Sequence, residues 1–309
     1  MSRRKHREIS QNDRAVAGIV VAVMMVGLTL AIVSLVQIYY VPKWMKAREA
    51  EHLGSVEDQF SRLKYAIDQQ AAEGSSGGRG KDVSISTSIT LGSENLGFLV
   101  SQRAFGRINL ISSGCLCFFQ MAGGANEQYD LTILKYMSEN SYYLDQGFVL
   151  EAGAVVLNQS GSNVFLIKPS ISTYYSNRVL TFNWTCINLQ PTGEVNSMSG
   201  YGTYPIQTKF MGNGTVHFDQ VTNISITTYH PEIWKQFFND LITSTPTNLI
   251  GRYFTLGTDF TIPAFVAGDN NKQMLTVNFI CGSSYLDDKI VFNVNIVTIS
   301  VEFAPGWIE

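Results

Sequence analysis

The sequence predicts an α+β protein: a long N-terminal membrane and stalk helix, then a mainly-β, sandwich-like ectodomain with one short helix. Three observations predict it. Residues from Ala15 to Pro42 carry no charge. Leu53, Val56, Phe60, Leu63 and Ile67 recur at alternating three- and four-residue steps. From Val83 onward, apolar and polar residues alternate with a period of two. These correspond to a lipid-facing helix, an amphipathic helix and half-buried strands.

The uncharged run is long enough, at about 40 Å of helix, to exceed the ~30 Å hydrocarbon core of a bilayer. A secretory signal has a shorter apolar core and a small-residue cleavage site. Here Tyr39, Tyr40, Pro42 and Trp44 follow instead. Aromatic residues at that point read as an interfacial belt. Residues 1–14 hold five basic side chains (Arg3, Arg4, Lys5, Arg7, Arg14) against Glu8 and Asp13, a balance of +3. The whole chain carries −3, which leaves −6 for the remainder. A basic flank stays on the cytoplasmic side, so the sequence predicts an inside N-terminus and an outside C-terminal domain. The acidic remainder argues against nucleic-acid binding.

Basic residues, then Arg14-Ala15-Val16, then a long apolar helix resemble the class III signal of archaeal type IV pilin-like proteins. The resemblance implies that a membrane peptidase cuts between Ala15 and Val16 and leaves the helix on the mature chain. AVAGIVVAVMMVGLTLA is similar to the small-and-apolar opening of archaeal pilins. Many pilins carry an acidic residue a few positions after the cut, where this chain has Val20. That departure bears on filament packing more than on membrane insertion. The alternative is an uncleaved anchor. Leu150 to Val155, the Pro169 region and the helix with Trp234, Phe237 and Phe238 resemble archaeal surface proteins with the same start. That resemblance implies an extracellular β-sandwich and no known chemistry.

The organisation expected is a basic segment (1–14), a transmembrane helix (15–42), an amphipathic stalk helix (43–73), a Gly/Ser linker (74–80) and a β-rich domain (81–309). Pro42 is expected to kink or restart the helix. The stripe of Leu53, Val56, Phe60, Leu63 and Ile67 suits packing on the chain's own β-domain or against a neighbouring subunit. GSSGGRG cannot bury apolar surface and reads as a flexible linker.

In the head, Val83 to Leu91, Ala152 to Leu157, Val164 to Lys168, Leu180 to Cys186 and Leu275 to Cys281 read as strands. Gly212-Asn213-Gly214 between two strand-like runs predicts a hairpin with Asn213 at its tip. In the last strand Phe292, Val294 and Ile296 set one phase; Val297, Ile299, Val301 and Phe303 set the other. A bulge or a passage between sheets would keep both facing a core. His230-Pro231-Glu232 opens a helix bearing Ile233, Trp234, Phe237 and Leu241, closed by Ser244-Thr245-Pro246.

Four Asn-X-Ser/Thr sequons, at Asn158, Asn183, Asn213 and Asn223, all follow the membrane segment and are candidate glycosylation sites. Cys115, Cys117, Cys186 and Cys281 are even in number. Cys115 and Cys117 are too close on one strand to join, so each is a candidate partner for Cys186 or Cys281. Free buried thiols are the alternative. His217 and Asp219 share a strand face, but no convergent nucleophile is visible in the sequence. Asp287-Asp288 falls short of the six to eight oxygens that calcium takes. There is no Gly-x-Ser-x-Gly, phosphate loop or dinucleotide fingerprint. No catalytic group, metal or cofactor is expected. The partners expected are the membrane and either copies of the chain or other cell-surface proteins. The function expected is a structural surface protein, either a single-pass anchor or a pilin-like filament subunit with a glycosylated head. The alternatives are an envelope- or partner-binding module anchoring a surface apparatus and, last, a glycan-active enzyme.

Overall fold

A computed structural model describes residues 2–75, 83–92, 104–159, 162–246, 253–280 and 289–304, with residues 2–15 as backbone only. It opens with α1 (Ser2–Leu35) and α2 (Val41–Ser75), joined by a π-helical turn over Val36–Tyr40. From Val16 to Ser75 the axis is unbroken for 60 residues, about 90 Å. Pro42 explains the turn. A proline ring clashes with the carbonyl four residues back, here that of Ile38. The helix widens just before it, and the Val41 N–H reaches the Val36 carbonyl. The extra residue makes room for the ring, and the helix runs on.

The linker expected at 74–80 lies largely outside the described residues, but Gly74 and Ser75 close α2. Gly74 lies flat on the ring of Phe210, where a Cβ would come within 2.4 Å of the ring. Leu53, Val56, Phe60, Leu63 and Ile67 are all buried against the β-domain. Residues 43–73 therefore belong to the same folded body as the strands.

The described strands are β1 (Ser84–Thr90), β2 (Phe105–Met121), β3 (Asn126–Glu139), β4 (Gln146–Glu151), β5 (Ala154–Gln159), β6 (Ser162–Ile167), β7 (Ser170–Ser176), β8 (Val179–Pro191), β9 (Ser197–Gly200), β10 (Thr203–Phe218) and β11 (Val221–Thr228). After α3 (Pro231–Thr243) come β12 (Phe260–Thr261), β13 (Val266–Ala267), β14 (Gln273–Phe279) and β15 (Lys289–Phe303). One sheet orders β1-β10-β15-β8-β7; the other orders β12-β14-β11-β2-β3-β4-β5-β6, with β13 on β14 and β9 on β2. Pairing is antiparallel except between β8 and β15, which run parallel.

Two cores fill the head, and the long strands serve both. In β8, Leu180, Phe182, Trp184 and Cys186 enter the first core, whereas Ile187 and Leu189 enter the second. In β15, Phe292 and Val294 enter the first, and Val297, Ile299, Val301 and Phe303 the second. Because side chains alternate across a strand, the two cores lie on opposite faces of this sheet. The phase change of β15 thus needs neither device expected for it. The strand stays in one sheet, and its register with β8 is unbroken from Lys289 to Val301.

The break lies instead in β10, between Phe210 and Gly212. This corrects the hairpin expected at Gly212-Asn213-Gly214: β10 runs straight through those residues, paired with β15. A two-residue hairpin turn of the preferred kind needs positive φ at both central residues. Neither glycine nor Asn213 is at positive φ. Twelve residues of β15, Phe292 to Phe303, pair with β10 on both sides of that break, and this ladder outweighs the local turn signal.

Helix α3 starts at Pro231, ends before Ser244 and buries Ile233, Trp234, Phe237 and Phe238 in the first core. Helix α2 covers the second. Phe60 sits there at 0% exposure, stacked on Phe148 at 5.4 Å and near Tyr136 at 6.1 Å. Phe60→Ala is expected to cost about 3–5 kcal/mol in denaturant unfolding of the detergent-solubilised chain. Tyr65→Ala, at a site 71% exposed on the opposite face, should stay within about 0.5 kcal/mol. Equal effects would mean that α2 is not part of the cooperative unit.

Candidate functional site

The feature that sets this chain apart from a soluble β-domain is the passage from α1 to α2. In the apolar window of the helix none of the residues is buried. Every residue from Val16 to Leu35 is exposed, so every face is bare. Tyr39, Tyr40 and Trp44 follow as a ring-contact ladder, with centroids 5.3 and 5.9 Å apart. The Lys43 ammonium donates to the Tyr39 hydroxyl at 2.8 Å. By length and composition this is one helix able to cross a membrane. The backbone of Arg14 and Ala15 continues the same helix into Val16.

One face of α2 is covered from its first residue. Val41, Met45 and Glu49 fall four apart and are buried, leading into Leu53 and the stripe beyond. Glu49 is fully buried yet fully partnered. Its carboxylate accepts the backbone N–H groups of Ser141, Tyr142 and Tyr143 at 3.0, 2.8 and 2.6 Å. Successive amides turned toward one carboxylate form an anion-binding nest. The loop between β3 and β4 is thereby tied to the helix just past the exposed segment. Three residues on, His52 meets the Tyr136 hydroxyl at 3.3 Å, which donates to the Leu91 carbonyl at 2.7 Å. Burial lowers His52 and raises Tyr136 from their ordinary values. By composition alone Glu49 is one of several charges after the apolar run. The signal was its register: an acid on the four-residue step that links Val41 and Met45 to Leu53.

A second buried acid sits in the head. Glu151 ends β4, and Ala152-Gly153 turn the chain with φ of 49° and 87°. Both being positive, this is the two-residue turn that fits the twist of a hairpin. The tip is buried against β8; a Cβ on Gly153 would lie 3.3 Å from Ile187 Cγ1. The Glu151 carboxyl accepts from Trp234 Nε1 at 2.7 Å and from the Thr228 hydroxyl at 2.8 Å. Burial raises its pKa despite these donors. Nearby His230 is buried with neither ring nitrogen hydrogen-bonded. Burial, with a smaller push from Lys135, lowers it to about 4.

The candidate residues separate clearly. Cys115, Cys117 and Cys186 are buried free thiols in the first core, and Cys281 lies outside the described residues. Hydrogen bonding with Cys115 and Cys186, then burial, holds Cys117 well above the ordinary thiol range. Among the sequons, Asn213 is exposed, with its amide donating to Asn295 at 3.2 Å. Asn183 is half-buried and accepts from Asn293 at 2.8 Å. Asn223 is half-buried and donates to Gln120 at 2.5 Å. Asn158 is half-buried on β5. His217 is exposed between Asn293 at 2.6 Å and Asp219 at 3.1 Å, with no nucleophile among those partners. Among the described residues no group of three or more His, Cys, Asp or Glu side chains could hold a metal. Asp287-Asp288 lies outside them. An open groove of about 320 Å³ runs between α3 and β6, lined by Phe165, Lys168, Gln236 and Asp240 among others.

Two expectations follow. Glu49→Ala strips three buried amides of their acceptor. It should cost about 2–4 kcal/mol and speed hydrogen exchange of the Ser141–Tyr143 amides well beyond that of the strand amides. For pH, His230 and His52 take up a proton more readily unfolded than folded. Stability should be full above about 6.5 and be lost as the pH falls toward 4, His230 accounting for on the order of 3 kcal/mol. Glu151 acts oppositely, its contribution lost as the pH rises past the ordinary carboxyl range. With Glu151→Gln removing that opposing contribution, unfolding midpoints should fall between pH 7.5 and 4.5, and His230→Phe in the same background should shrink that fall. No family model, curated protein or solved structure matches the chain, so a reading of its function rests on this geometry.

Proposed function

We propose that the chain is a structural cell-surface protein. One helix crosses the membrane, the basic start stays on the cytoplasmic side, and the β-rich, sandwich-like head stands outside. The observation that carries this is a single unbroken helix with two different surroundings. Its first part is apolar and bare on every face, and its second part is sunk in the head. A bare apolar cylinder is stable only against lipid or other helices. The +3 balance before the span supports the orientation.

A pilin-like filament subunit is the fuller version. The stripe of α2 is already occupied within the chain, so packing between subunits would fall to α1. Gly18 and Gly27 have nothing within 4 Å of a Cβ position and, with Ala22 and Ala31, offer surfaces for close approach. Asn213 is the sequon best placed to carry a glycan, since its side chain is exposed. A second reading, an envelope- or partner-binding head, rests on the groove between α3 and β6. Neither reading needs a catalytic group.

Peptide mapping of protein taken from native membranes tests this. The expected result is a first residue at Val16 and a glycan on the peptide holding Asn213. A first residue at Met1 or Ser2 would leave the anchor and remove the pilin-like version. Release of the chain by alkaline washing would remove both.

A further inference from the structure

We propose that the hairpin joining β3 and β4 is a second membrane contact, a foot that rests in the lipid headgroup layer beside the helix. The inference rests on the reading that α1 crosses a bilayer and goes beyond it.

Direction comes first. Along β3 toward the hairpin tip, the contact on α2 moves from His52, beside Tyr136, to Glu49, beside Ser141–Tyr143. The hairpin therefore points down the helix toward α1. Glu49 stands five residues above Trp44, about 7.5 Å along the axis. The buried face of α2 continues lower still, through Met45 to Val41, the first residue after the π-helical turn. The helix is thus covered on one face down to the level of the aromatic belt.

The tip is then built to present an apolar group. Leu144 is 58% exposed. It does not collapse into the core because the loop is tied on all sides. Glu49 holds three amides. The Asn140 N–H donates to Asp145 Oδ1 and its side-chain amide to the Leu144 carbonyl, both at 2.8 Å. The Ser138 hydroxyl donates to Asn140 Oδ1 at 2.7 Å. Tyr143 packs on the second core, so the loop is braced from behind. An exposed leucine on a braced loop, tied to the helix at Glu49 about 7.5 Å above exposed Trp44, suits the headgroup side of the boundary with the acyl chains. Lys43, Lys46 and Arg48 are exposed on this stretch of the helix, Arg48 beside Glu51 at 3.4 Å, and suit lipid phosphates.

One leucine would not hold a free protein on a membrane. The head, however, is already tethered by α1, so the contact is effectively intramolecular and weak energy suffices. Its consequence is orientation: the foot fixes how the head tilts on the bilayer.

The test uses the full chain in nanodiscs of phosphatidylcholine and phosphatidylglycerol. A photoreactive benzophenone amino acid replaces Leu144, Trp44, Leu28 or Met211 in turn, and lipid adducts are quantified by mass spectrometry. Met211 adjoins Phe210, which packs on Gly74, about 37 Å up the helix from Glu49. The expected result is adducts at Leu28, Trp44 and Leu144, each at least tenfold above Met211. Adducts at Leu28 and Trp44 with Leu144 at the Met211 level would overturn the foot and leave the membrane helix standing. Loss of adducts at Leu28 and Trp44 as well would overturn the membrane reading, and the foot with it.

Discussion

Side chains alternate across a strand, so a strand whose apolar phase changes partway offers apolar residues to both of its faces. In β8 the change falls between Cys186 and Ile187, and in β15 between Ile296 and Val297. Parallel pairing in unbroken register sets Cys186 beside Ile296 and Ile187 beside Val297. The two changes are thus side by side, and the sheet must be covered on opposite faces at its two ends. Much of the rest of the head answers that demand. Helix α2 covers one face. The inner side of the second sheet, together with α3, covers the other. In β3 the same change occurs between Ile133 and Leu134, so the second sheet follows the first.

That demand explains why the head cannot be separated from the helix. The second core has α2 as one wall: Leu53, Val56, Phe60, Leu63, Ile67 and Ala71 are all part of it. Without α2, the ends of β8, β10 and β15 would turn Leu189, Phe210 and Ile299 to water. The helix long and apolar enough to cross a membrane is then also a structural member of the head. Motion or load on α1 reaches the β-domain without a hinge at Pro42, because the π-helical turn keeps the axis continuous.

Two buried acids show two solutions to one cost. Burying a carboxyl without partners is expensive. Glu49 is met by three backbone amides, which fixes the β3–β4 loop against the helix. Glu151 has only side-chain donors, from Trp234 and Thr228, in a fully enclosed setting, and burial favours its protonated form. The first ties a loop at the helix junction. The second ties β4, β11 and α3 together at the tip of a buried hairpin.

Local pattern alone determined much of this protein. The uncharged run, the stripe from Leu53 to Ile67, the strand alternation and the α3 boundaries each depend on residues close in sequence, and each was legible there. The phase change in β15 was legible too, but its meaning was not. One strand cannot say whether a second core waits on its other face. Asn213 was misplaced for a related reason: Gly-Asn-Gly favours a turn, and only pairing with β15, some eighty residues on, holds it extended. Glu49 was hidden because its partners are backbone amides, which carry no side-chain signature. Tertiary structure decided which apolar stripe met which sheet, which acids were buried and what satisfied them, because those outcomes depend on contacts between residues far apart in the chain.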